Sequence, residues 1–329
     1  RDINAFYLGQ LCAERGRVLA EVAIATDDPA ANPWAREGWT IARKPERAQR
    51  AMWQPVFHSD YTPITGSRDG RTFFKNPWRV AGDGAWSSTD RGAFVATGRA
   101  TLEWDTTLVT IDDAYPYNAP IQSRLDAPLP VGDMRIAFAI KPASADFAIT
   151  PTVLARGHEF SATITPSAVT LAMRPQAAPG TGANTAPWKE LATAPLPATI
   201  TPSAFTNVEF WHADQSLQLW IEGTLVATGT YDWSIAERTR HTFGKSPEEI
   251  ADSAYENLLL MPGETRPVGA RINLDGGATL LRVDLDRDIH YHAAIFKGDE
   301  NGTEHRLYRT PATATHPTRT LTLDGNEFF

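Results

Sequence analysis

Asp284, Asp286, Asp288, His290 and His292 alternate along one stretch of the chain. On a continuous strand every second side chain shares a face, so these five would line one side. Carboxylate and imidazole groups in a row could ligate a divalent metal. Same-face neighbours on one strand lie roughly 6.5 Å apart, so only neighbouring pairs or triplets could reach one ion. The metal candidates are Asp284, Asp286, Asp288 and His290. The competing reading is a solvated polar strand face, with Val283, Leu285, Ile289 and Tyr291 buried behind it.

The chain has 10 tryptophans. Trp211, Trp220 and Trp233 fall close together and are the ligand-binding candidates, because an exposed indole face can stack on a sugar ring; a glycan is the partner this implies. The alternative is that they close the core and its edges, as most tryptophans do.

Other catalytic patterns are missing from the sequence. It has no Gly-x-Ser-x-Gly elbow, His-Glu-x-x-His pair, phosphate-binding glycine loop or paired cysteines. No two carboxylates are marked out as an acid–base couple. His58, His158, His212 and His305 stand alone and read as structural or surface residues. Asn301-Gly302-Thr303 matches a short glycosylation pattern. No cofactor is expected.

The elements that must position these residues are short strands. The 329 residues are 42% hydrophobic and 21% charged, which suits a globular protein with a sizeable core. Apolar alternation predicts strands at 18–24, 93–104, 107–111, 134–141, 147–154, 159–165 and 168–174, and two more precede residue 207. Further strands are expected at 208–213, 216–222, 225–230, 269–274, 279–291, 304–309 and 320–329. Turn signals about every ten residues are the pattern of an all-β sandwich. Residues 43–57 read as a helix, with Ala48, Met52 and Val56 on one side and Arg43, Lys44, Arg47 and Arg50 making it basic. Such a helix either touches anionic lipid or packs on the domain through Met52 and Trp53. Ser246-Pro247-Glu248-Glu249 opens a second helix, to about residue 260.

The formal charge of −8 argues against nucleic acid as a partner. Cys12 is the one cysteine and has no internal partner. No apolar run approaches the length that spans a bilayer. Arg1 at one end and the strand-like Glu327-Phe328-Phe329 at the other suggest a piece of a longer protein, with any membrane anchor and the chemistry lying outside it.

Residues 207–233, NVEFWHADQSLQLWIEGTLVATGTYDW, put Leu217, Leu219 and Ile221 on one face and Gln218 and Trp220 on the other. The stretch resembles the back hairpin of a concanavalin-like (laminin-G-like) antiparallel β-sandwich, a jelly roll. The expected organisation is a β/loop segment with a short basic helix at 1–92, the sandwich at 93–245, and a helix plus strands at 246–329.

Three stretches together resemble the large signal peptidase I homologues of planctomycete-type bacteria, in which a β-rich domain interrupts the peptidase. They are GWTIARKPERAQRAMWQPV at 38–56, residues 131–175 from VGDMRIAFAIKP through LARGHEFSATI, and LTLDGNEFF at 321–329. The resemblance implies a parent serine endopeptidase with a Ser/Lys dyad, at the extracytoplasmic (periplasmic) face of the cytoplasmic membrane. It further implies preprotein or signal-peptide partners reached through that parent. The family's serine and lysine motifs have no counterpart here, and Lys44, preceding a proline, does not fit, so no catalytic residue is carried over. The expected role is a non-catalytic region that positions substrate or the catalytic unit; the alternative is a carbohydrate-binding sandwich.

Overall fold

The computed structural model describes residues 41, 43–61, 75–81, 86–88, 92–112, 130–177, 184–196, 200–233 and 268–288, and residues 237, 240 and 241; residues 67–68, 71–72, 88, 295–298 and 304–308 are described by backbone alone. The chain divides into two compact units. One comprises Arg1–Ala48, Asp232–Thr265 and Ile289–Phe329, and the other comprises Gln49–Tyr231 and Arg266–Asp288.

The helix α1 (Glu46–Met52) spans the boundary at Ala48, and the larger unit continues with β1 (Gln54–Phe57), a 3-10 turn at Ser59–Tyr61, and the short β2 (Ser67–Arg68) and β3 (Arg71–Thr72). Then come β4 (Trp78–Ala81), β5 (Trp86–Ser88), β6 (Phe94–Ala96), β7 (Ala100–Trp104), β8 (Met134–Pro142), β9 (Ala148–Ala155) and β10 (His158–Ile164). They are followed by β11 (Ala168–Pro175), β12 (Lys189–Pro195), β13 (Thr206–Ala213), β14 (Ser216–Ile221), β15 (Thr224–Thr230), β16 (Gly269–Asp275) and β17 (Ala278–Arg287). In the smaller unit β18 (Ile295–Gly298) and β19 (Glu304–Tyr308) pair as a hairpin.

Two antiparallel sheets make the sandwich. One runs β15-β14-β13-β8-β17-β6-β5, with β1 also on β17; the other runs β12-β11-β10-β9-β16-β7-β4. Together they form an antiparallel β-sandwich of the expected kind, two sheets packed face to face. Alternation fixes which side chains enter the core. Ile136, Phe138, Phe210, Leu217 and Leu219 come from the first sheet, and Leu102, Val153, Phe160, Leu171 and Ile272 from the second, all buried. Across the gap Phe160 stacks at 4.0 Å on His212, whose Nε2 meets the Tyr231 hydroxyl at 2.7 Å. Full burial of each such apolar side chain contributes about 1.5–3 kcal/mol.

β16 and β17 lie inside the two sheets, between β9 and β7 and between β8 and β6. The sandwich is therefore not closed by residues 93–245; its central strands arrive from beyond 268, and β4 and β5 precede 93. The turn between β16 and β17 carries the chain from one sheet to the other. Gly276 there has φ +95, and a Cβ would sit 2.9 Å from the Asp146 carbonyl oxygen, so glycine is required.

Other sequence expectations shift for local reasons. The first helix spans only 46–52, because Pro55 cannot continue it and β1 pairs with β17 instead. Residues 107–110 turn rather than extend, since the Asp105 carboxylate accepts from the Thr107 N–H at 2.9 Å and from its hydroxyl at 2.6 Å. Residues 93–104 break into β6 and β7, and β12 alone lies between 187 and 205 among the described residues. The strands expected at 18–24 and 320–329 and the helix expected at 246–260 lie outside the described residues.

Candidate functional site

On the outer side of the first sheet, Arg135 of β8, Glu209 and Trp211 of β13, and Trp220 of β14 occupy positions that alternate with core residues. The chain's own segment 49–61 covers them. The Arg50 guanidinium carbon lies 4.6 Å from the ring centres of both Trp211 and Trp220. Trp53 meets Trp211 edge-on at 5.6 Å. Trp211 and Trp220 are 1% and 4% exposed, so the two indoles expected to meet a sugar are sealed. Trp233 belongs to the other unit, where it is half-buried with its ring 4.5 Å from that of His241. Arg50 donates to Glu209 at 3.1 Å, so Arg50 and Trp53 pack the end of the helix onto the sheet.

The alternating acidic set follows a register skip and ends with its strand, because β17 stops at Arg287, before Asp288. The β17–β8 register skips between Leu281 and Asp284, with Arg282 at φ 50. Asp284 and Asp286 then face outward and are engaged by protein donors. Asp284 accepts from the Ser59 N–H at 2.8 Å and its hydroxyl at 2.9 Å. Asp286 accepts from Arg135 Nε at 2.9 Å and lies 2.9 Å from His58 Nε2. That hydrogen bond, reinforced by the charges of Asp286 and Asp284 and opposed by burial and Arg135, holds the His58 pKa above its ordinary value. His290 lies outside the described residues.

Asp288 goes elsewhere. Its carboxylate gathers with those of Asp133 and Asp214, all three buried, with one oxygen from each within 4.8 Å of the others. Arg156 Nη2 donates to Asp133 Oδ1 at 2.8 Å. An oxygen-preferring divalent ion is the kind of group such carboxylates could hold. These residues come from the start of β8, the β13–β14 turn and the end of β17, a convergence that no local spacing in the sequence reveals.

The second sheet turns a polar face outward. Charges alternate across it: Arg174 on β11, Glu159 on β10, Arg271 on β16, Glu103 on β7 and Arg79 on β4. Glu159 Oε2 accepts from Arg174 Nε at 2.8 Å and from Arg271 Nη2 at 3.2 Å. Arg79 Nη2 donates to Glu103 Oε2 at 3.3 Å. At one edge the Arg174 guanidinium lies 4.2 Å from the Trp188 ring centre, and Trp188 is 41% exposed. Beneath the charges, Thr152 Oγ1 and Arg271 Nε are buried without a hydrogen-bond partner. None of these residues was singled out by sequence. Apart from Trp188, which precedes β12, each is simply the outward position of its strand, and only pairing makes them a row.

No protein-family model matches the chain, and no curated protein matches it. Among solved structures it is similar to the carbohydrate-binding module CBM66 from Bacillus subtilis, at 10% identity and a TM-score of 0.36 over 64% of this chain and 95% of that one. It is also similar to the Bacillus licheniformis β-glucanase, at 10% identity and TM-score 0.34 over 72% and 99%. The laminarinase catalytic domain from Thermotoga maritima MSB8 gives 10% and 0.38 over 72% and 99%. Identity and overlap at this level carry no functional argument, which rests on the residues themselves.

Proposed function

We propose that the chain is a carbohydrate-binding β-sandwich that takes its glycan on the outer face of the seven-stranded sheet. The observation that carries this is Trp188, half-exposed and fixed by Arg174 at the rim of a row of oriented charges. An indole offers an apolar plate to the C–H face of a sugar; the Arg174 guanidinium lies over one face of Trp188 and leaves the other for the ligand. The neighbouring guanidinium and carboxylate groups supply donors and acceptors for hydroxyls. The ion pairs hold those groups in place before a ligand arrives, which lowers the ordering cost of binding. Such a module acts where glycans are, at the extracytoplasmic face of the membrane.

The test is isothermal titration of the full chain against soluble oligosaccharides found on a glycan array. Trp188→Ala should weaken binding by about tenfold, the size of one stacking contact, with an unchanged melting temperature. An array without hits, or a Trp188→Ala protein that binds like the parent, would end the proposal.

A role beside a signal peptidase rests on the resemblance of residues 38–56, 131–175 and 321–329 alone. Under that reading the same polar face would contact the preprotein or the catalytic unit, and the array would stay blank while a signal peptide bound.

A further inference from the structure

The Trp211–Trp220 pair has the chemistry of a cation cage. The two indoles sit 4.9 Å apart at 33° on adjacent strands, and Arg50 lies over both faces at 4.6 Å. Glu209 closes the floor. Its carboxylate accepts from Arg50 Nη1 at 3.1 and 3.3 Å, from Trp211 Nε1 at 2.9 Å and from Arg135 Nη1 at 3.4 Å. Arg50 is the most exposed member of this assembly: its side chain is 31% exposed against 22% for Glu209 and 19% for Arg135, while the indoles beneath are almost fully covered.

We propose that Trp211, Trp220 and Glu209 form a binding site for an organic cation of the methylated-ammonium class, and that Arg50 fills it from within the chain. Two aromatic faces attract a cation whether or not it carries N–H groups. Glu209 keeps Trp211 and Arg135 as donors when Arg50 leaves, so a quaternary ammonium needs to offer no hydrogen bond. Arg50 swings out through its exposed side and the ligand takes its place. The native state is self-ligated, and an external cation binds in competition with a side chain held at high effective concentration. This site lies on the opposite sheet from the glycan face, and its fate is independent of that reading.

The test is intrinsic tryptophan fluorescence of the full chain titrated with tetramethylammonium chloride, with sodium chloride matching the ionic strength. Arg50→Ala empties the cage, and Arg50→Gln, which keeps length without charge, is read beside it should the alanine variant fold poorly. Both should show a saturable response to tetramethylammonium and none to sodium. The wild type should need at least about tenfold more, and Arg50→Lys should behave like the wild type. Adding Trp220→Leu to the emptied variant should abolish the response. Equal responses to the two salts, or equal midpoints with and without Arg50, would overturn the proposal.

Discussion

Arg156 donates to Asp133 at 2.8 Å with both side chains almost wholly buried, 4% and 6% exposed. Asp214 and Asp288 bring two more carboxylates to the same place. A cation is needed there, because carboxylates in a low-dielectric setting raise one another's energy unless a positive partner offsets them. Arg156 takes a left-handed backbone, φ 50, in the tight β9–β10 turn with Gly157, which aims it at Asp133. Arg156→Ala should therefore cost about 3–5 kcal/mol, as expected when one member of a buried pair is removed. Urea unfolding would measure it. A loss below 1 kcal/mol, on the order of a surface pair, would mean that Arg156 does not offset the cluster.

His58 ties the covering segment to β17 through Asp286, and its pKa is raised, first by that hydrogen bond and then by the charges of Asp286 and Asp284. Burial and Arg135 oppose the shift. A histidine whose folded pKa exceeds its unfolded value adds stability that is complete below the unfolded pKa, 6.5 here, and disappears as pH rises through the folded value. The wild type should thus lose melting temperature from pH 6.5 upward relative to His58→Gln. Parallel curves for the two proteins would show that the tether does not titrate.

Much of the fold could be read from alternation. In β14 the apolar set Leu217, Leu219 and Ile221 faces the core, while Gln218 and Trp220 face away, as their spacing requires. β8 behaves alike, with Met134, Ile136, Phe138 and Ile140 buried. What alternation cannot show is which strands are neighbours. The placement of β16 and β17 in the middle of each sheet depends on pairing across more than a hundred residues. The outward row Arg174, Glu159, Arg271, Glu103 and Arg79 exists only because of that pairing. Likewise the spacing puts Trp220 off the core face, where it lies, but nothing in residues 207–233 shows that Arg50 lies over it. The bulge after Leu281 switches parity along β17: Leu280 and then Val283 and Leu285 are the buried positions, so Asp284 and Asp286 face outward, while β17 ends at Arg287 and Asp288 leaves their row.

Gly276 is a position where one methyl group decides the outcome. Its φ of +95 and the 2.9 Å separation of a built Cβ from the Asp146 carbonyl oxygen act together. Gly276→Ala should cost about 1–3 kcal/mol, the usual size of a disfavoured backbone conformation. Because the turn joins the central strands of the two sheets, the loss should appear as a uniform drop in hydrogen-exchange protection across β16 and β17. Protection lost only at residues 275–278 would indicate that the turn yields without disturbing the strands.

Glu159 holds the proposed glycan face together. It accepts from both Arg174 and Arg271 while only 6% exposed itself, against 16% and 21% for the arginines. Removing it leaves two largely covered guanidiniums without their shared acceptor, and Arg174 beneath Trp188 keeps the Asn184 carbonyl as an acceptor but loses its carboxylate partner. Charged hydrogen bonds of this kind are worth about 1.5–3 kcal/mol, so Glu159→Ala should lower stability by that order. If the face is the binding site, glycan affinity should also fall, because Trp188 is no longer held in place before the ligand arrives. Glu159→Gln keeps an acceptor oxygen and should restore much of the stability and only part of the affinity. Thermal melting and titration on the same samples separate the two effects. A Glu159→Ala protein with lowered stability and unchanged affinity would show that the ion-pair row holds the sheet together and takes no part in recognition.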